Sequence, residues 1–190
     1  MEFLDENLVL SGGVQSALEK EMARYAPISP ADTPSLSFAD MAPWFFLDMC
    51  TMLAMCEKTN KLHGLVEYVN DFGLNAFLQL LISFEAGVIQ DVDGCMESTA
   101  AQRMHFDKQF ESFKGLPIPL PSDIHCPTFV QRGAIMLPII TAIFSEKGKT
   151  DIAENYFACA EQFGLGNAYV TLLNVTIGSL INTLPIADSH

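Results

Sequence analysis

The chain has 190 residues, 23 acids against 10 Lys and Arg, and a net charge of −13, so it suits one domain that buries about 70% of its unfolded surface without covalent staples. Five cysteines, an odd number with no C-x-x-C spacing, argue against a disulfide framework and for reduced thiols in a cytoplasmic compartment. With no Lys/Arg cluster anywhere, direct nucleic-acid binding is disfavoured, since phosphates repel such a surface.

The first segment, MEFLDENLVLSGG, carries acids where a signal peptide carries Lys or Arg, and its apolar run is short. Residues 14–25 are rich in helix formers and predict a helix, which Pro27, Pro30 and Pro34 close into an extended connection. A long apolar helix is expected over 38–57, with Ser37 as its cap. A shorter one follows over 61–71, and Gly73 is placed to close it in a left-handed conformation. The next helix covers 75–90, with Asn75 as N-cap.

The same order then recurs. A helix over 97–114 ends at Gly115 and a loop with Pro117, Pro119 and Pro121; a long apolar helix covers 128–146 with Thr128 as cap; a short helix covers 150–162, closed by Gly164; a last helix covers 167–183, begun by Asn167. Asp40, Pro43 and Asp48 interrupt the apolar window 38–56, and Arg132 and Pro138 interrupt 128–144, so neither is expected to span a membrane. A soluble protein follows as the expectation.

Landmarks align at an offset of about 91 residues. Pro27-Ile28 meets Pro117-Ile118, Phe38 meets Phe129, Glu57-Lys58 falls on Glu146-Lys147, Phe72-Gly73-Leu74 on Phe163-Gly164-Leu165, and Gly87 on Gly178. Matches that include turn-forming prolines and glycines argue for internal duplication rather than two similar amphipathic stretches. The expected fold is all-α: a helical bundle or solenoid-like tandem of two four-helix units, 1–92 and 93–190, related by an approximate twofold and packed as one globular domain. The first unit holds 13 acids and 4 bases, net −9, and the second 10 and 6, net −4.

Leu137, Ile140, Thr141 and Phe144, then Gly148, then Ala153, Phe157 and Ala160 follow a large, large, small, aromatic, turn, small, aromatic, small order. In this, residues 137–165 resemble a single tetratricopeptide repeat. Pro138 inside the first helix and Leu165 at the usual closing proline depart from that pattern. The resemblance implies a helical scaffold that binds peptide or protein segments.

Chemistry is sparse. His125-Cys126 and His105 suggest a Cys–His pair, but no third member or oxyanion donor accompanies them. Met49, Met52 and Cys56 share a helical face, which adaptable core methionine explains better than a copper site. His63 and His190 have no cluster at zinc-ligand spacing, and Ser11-Gly12-Gly13 lacks the lysine of a phosphate loop. No catalytic residue, metal or cofactor is expected. Asp40, Trp44 and Asp48 form a stripe on one apolar helix that would suit a recognition groove, and Glu19 and Glu21 offer contacts to a basic partner.

The favoured function is therefore a non-catalytic, acidic protein-interaction module, an adaptor or an inhibitor of a basic partner. Two alternatives stand beside it. One is an immunity- or antitoxin-type or nucleic-acid-mimic inhibitor, favoured by charge-steered association. The other is a small-molecule binder or enzyme with an apolar pocket between the halves. The apolar helix 167–183 adds homodimerisation as a further expectation.

Overall fold

The computed structural model describes residues 12–33, 38–83, 104 and 127–183, and within these every element is helical. Six α-helices run in order: α1 (Gly12–Tyr25), α2 (Phe38–Met55), α3 (Thr59–Ser83), α4 (Phe129–Glu146), α5 (Thr150–Phe163) and α6 (Leu165–Thr183), with a 3₁₀ turn at Ala26–Ile28 after α1. The expected helix over 97–114, the second proline loop and the chain beyond 183 lie outside the described residues; Met104, described alone, is helical and exposed.

Leu18, Glu21 and Tyr25 fall three and four residues apart and form the inward face of α1. Pro27 stops the helix, and Ser29 N–H and Oγ both donate to Tyr25 O, at 3.0 and 3.2 Å. In α2 the run Met41–Leu53 is buried without interruption. Such all-round burial is what its unbroken apolar composition demands.

α4 is the axis of the fold. It packs against α1, α2, α5 and α6, and Arg132–Ile143 is buried on every face. By length and composition it is the one described helix apolar enough to cross a membrane, and that apolar surface is instead covered by protein. The expected Thr128 cap is present as a capping box: Gln131 N–H donates to Thr128 Oγ1 at 3.3 Å and Thr128 N–H to Gln131 Oε1 at 2.9 Å. Gln131 Nε2 also donates to Asp32 O at 2.9 Å, tying the α1–α2 connection to α4. Pro138 removes a helix donor mid-way, and Thr141 Oγ1 donates back to Leu137 O at 2.7 Å.

Gly73 and Gly164 depart from the expected geometry. Their φ values, 85° and 89°, are positive, but ψ is 168° and 161°, so neither forms a left-handed helix cap. This extended positive-φ region is open essentially to glycine alone. It lets one helix stop and the next start within a residue, so residues 59–83 form one kinked helix, and α6 begins at Leu165 directly after α5. Asn167 is accordingly not an N-cap. It sits in the first turn of α6 and its Nδ2 donates to Phe163 O at 2.7 Å, bracing the joint.

The 91-residue spacing recurs in the backbone: α2 and α4 each have 18 residues and start at Phe38 and Phe129, α3 and α5 start at Thr59 and Thr150, and positive φ falls at Glu57 and Gly148 as at Gly73 and Gly164.

Two glycine substitutions test this description by chemical denaturation. Gly164→Ala is expected to cost about 1–3 kcal/mol through backbone strain. Gly133→Ala, whose new Cβ would stand 3.0 Å from both Leu165 O and Tyr169 Cβ, is expected to cost a similar ~1–3 kcal/mol by prising α4 from α6.

Candidate functional site

The recognition stripe proposed on α2 is not a surface. Asp48 is 2% exposed and Trp44 3%, both within the core, while the side chain of Asp40 lies outside the described residues. Asp48 instead meets Arg132 of α4, itself 1% exposed: Arg132 Nε donates to Asp48 Oδ2 at 2.8 Å and Nη2 to Oδ1 at 2.9 Å. This fork-on-fork pairing is the strongest geometry available to the two groups. Tyr169 of α6 donates its hydroxyl to Asp48 Oδ2 at 2.6 Å, and Arg132 Nη1 donates to Pro127 O at 2.7 Å. Phe129, with its ring centroid 5.9 Å from the guanidinium carbon and 5.1 Å from the Tyr169 ring, covers one side.

The sequence marks Arg132 only as an interruption of an apolar window and gives Tyr169 no role. A signal existed for the arginine. It is the one cation within α4, and Asp48 is one of two acids, with Asp40, within the other long apolar helix; opposite charges in buried elements require each other. Tyr169 carried no such signal, because a tyrosine in an apolar helix packs as readily without a charged partner.

Fully enclosed charges do structural work. Desolvating them costs several kcal/mol per ion, so the pair gives α2, α4 and α6 one allowed register more than it adds net stability. Across the same seam Phe45 packs on Tyr169 at 6.3 Å, and Phe45, Phe46, Met49, Phe129 and Met136 are all fully buried. The Tyr169 hydroxyl is held well above its ordinary pKa of 10.0, first by burial and then by the Asp48 charge.

A second polar group lies under α1. Glu21 is 4% exposed rather than offered to solvent, whereas Glu19 is exposed as expected. Glu21 Oε2, the Tyr25 hydroxyl and the Tyr156 hydroxyl of α5 are buried without a hydrogen-bond partner. The Tyr25 hydroxyl lies beside Thr141 without completing a bond, and burial raises both tyrosines well above 10.0. At the rim, Arg24 forms a two-pronged pair with Glu154, with Nη1 to Oε1 at 2.8 Å, and stacks its guanidinium 3.8 Å over Phe157. That pairing lowers the Glu154 carboxyl and raises Arg24.

The exposed large apolar residues are Met22 on α1, Met55 at the end of α2, Met104, and two phenylalanines, Phe72 (65% exposed) and Phe163 (46%), each directly before a joint glycine. Exposed acids flank both: Glu67 and Asp71 beside the first, Glu161 beside the second. Tyr68 holds Phe72 at a ring distance of 5.0 Å.

Among the described residues no group of three or more His, Cys, Asp and Glu could hold a metal ion. Met49 and Met52 are core residues, while Cys56 lies exposed in the turn after α2, so the sulfur-rich face does not converge. His105, His125 and Cys126 lie outside the described residues. The chain matches no family model, no curated protein and no solved structure.

Two measurements test these sites. Asp48→Ala alone is expected to cost about 3–5 kcal/mol by stranding the Arg132 charge, while Asp48→Leu combined with Arg132→Met recovers most of the loss in urea titrations. Tyr25, Tyr156 and Tyr169 keep their protons in the folded chain above pH 10, where the unfolded chain releases them. The stability these tyrosines contribute is therefore constant below that pH and falls as pH rises past it, by up to about 1.4 kcal/mol per pH unit for each tyrosine. Phenolate absorbance followed against helical circular dichroism should show these tyrosines ionising together with unfolding.

Proposed function

We propose that this chain is a non-catalytic, acidic helical module that binds a basic protein partner. The observation that carries the reading is the pair of exposed phenylalanines, Phe72 and Phe163, each at a helix joint and each beside exposed carboxylates. An aromatic anchor with exposed acids nearby in sequence suits a partner that offers an apolar pocket bordered by Lys or Arg. Because the two joints stand 91 residues apart with matching glycine geometry, we also infer that the chain is a duplicated helical unit that presents the same contact twice. Two weak contacts on one rigid body raise avidity without new chemistry.

The hairpin of α4 and α5 supports the scaffold side of this reading. Thr141, Ala153 and Ala160 are buried, as small residues between close helices should be, and Gly148 turns the chain at φ 75°. Burial of Asp48, Arg132 and Tyr169 leaves no charged group of that cluster open to a substrate, which favours binding over catalysis. The net charge of −13 would speed association with a basic partner and make it salt-sensitive.

The test is affinity capture by the tagged full-length chain from its native lysate at low and moderate salt, in parallel with the Phe72→Ala/Phe163→Ala variant. One stoichiometric basic partner, lost as salt rises and weakened at least about tenfold in the variant, is the expected result. Equal capture by both proteins, or a partner indifferent to salt, overturns the reading.

A further inference from the structure

Beneath the first helix the fold closes over oxygens from three elements. Glu21 and Tyr25 stand one turn apart on the inward face of α1, Thr141 belongs to α4, and Tyr156 and Cys159 come from α5. Both phenol rings are held by neighbouring rings: Tyr25 meets the edge of Phe157 at 5.2 Å and 82°, and Tyr156 lies parallel to Phe144 at 6.2 Å. Their hydroxyls therefore occupy set positions. The Tyr25 hydroxyl reaches the side of Thr141, and Glu21, Cys159 and Tyr156 all lie near enough for charge on one to be felt at the next.

α1 packs on α4 more extensively than any other pair of described helices pack on each other, so the oxygens under it must be answered where they stand. Tyr25 is 0%, Tyr156 1% and Glu21 4% exposed. One Glu21 oxygen, Oε1, is 4.0 Å from Arg24 Nη1 at the rim, while Oε2 is shut off from solvent without a protein donor, and the Tyr25 and Tyr156 hydroxyls are enclosed without an acceptor. Such groups are costly to leave unpaired. The unmatched set is two O–H donors and one carboxylate acceptor, beside the lone pairs of Thr141 Oγ1, whose own proton goes to Leu137 O at 2.7 Å. A cation would suit the carboxylate and leave both phenolic protons without an acceptor. A water molecule accepts two hydrogen bonds and donates two, which matches the set.

We propose that one ordered water molecule is built into the junction of α1, α4 and α5, accepting from the Tyr25 and Tyr156 hydroxyls and donating to Glu21 Oε2 and Thr141 Oγ1. Bound to all three helices, it is part of the fold, of the kind that globular proteins carry about once per 27 residues. It ties α1 to α5 inside the rim pair of Arg24 with Glu154, and it completes a buried polar group that the side chains alone leave open.

The wild-type chain serves for the first measurement. Oxygen-17 relaxation dispersion detects waters that stay bound longer than the protein takes to tumble, and a high-resolution crystal structure places them. A long-lived water within hydrogen-bond reach of Glu21 Oε2 and both hydroxyls is the expected result. No long-lived water in solution, or a crystal structure in which Tyr25 or Tyr156 donates directly to Glu21, overturns the proposal. The Tyr25→Phe/Tyr156→Phe variant keeps both rings and removes both donors, with helical circular dichroism as the check that it folds. In it the residence time of this water is expected to fall at least about tenfold; an unchanged residence time removes the assignment to this site.

Discussion

Arg132 carries a permanent charge into the middle of the molecule, and the rest of the fold is arranged around giving that charge partners. Its five donors can be satisfied only by oxygens brought from several directions. Asp48 supplies both carboxylate oxygens from α2, Pro127 a carbonyl from just before α4, and Tyr169 completes the carboxylate from α6. Three helices separated by up to 121 residues are thereby placed in one register. A one-turn slip of α2 or α4 would leave a buried charge unpaired, and one of α6 would remove the Tyr169 hydroxyl from Asp48. Apolar packing among Phe45, Met49, Phe129 and Met136 is far more permissive, since such contacts are non-directional.

The two polar groups of the interior behave oppositely. Around Arg132 every charge is answered, which rigidifies the junction of α2, α4 and α6. Under α1, a carboxylate oxygen and two phenols are enclosed without protein partners, beneath a helix fitted by Arg24, Tyr25 and the Glu146 carboxylate. The chain thus encloses two of its acids, Asp48 and Glu21, while exposing others at the helix joints.

The joints connect this interior to the surface. Gly73 and Gly164 adopt a backbone conformation closed to side chains and interrupt the helix there, and the preceding Phe72 and Phe163 are exposed. Exposed acids, Glu67 and Asp71 for the first and Glu161 for the second, lie beside them in sequence.

Among the described residues, the helical class, the approximate ends of most helices, the Thr128 cap and the position of the two joint glycines were legible in the sequence, because each rests on local chemistry: periodicity, capping oxygens, and the φ freedom of glycine. Whether Asp48 faced water, a ligand or another helix was not, since an acid on an apolar helix is compatible with all three. That was decided by Arg132, 84 residues away. The same holds for Glu21 and Trp44, read from sequence as surface contacts and buried by elements packed over them. Periodicity specifies which residues share a face; only tertiary packing specifies what that face meets.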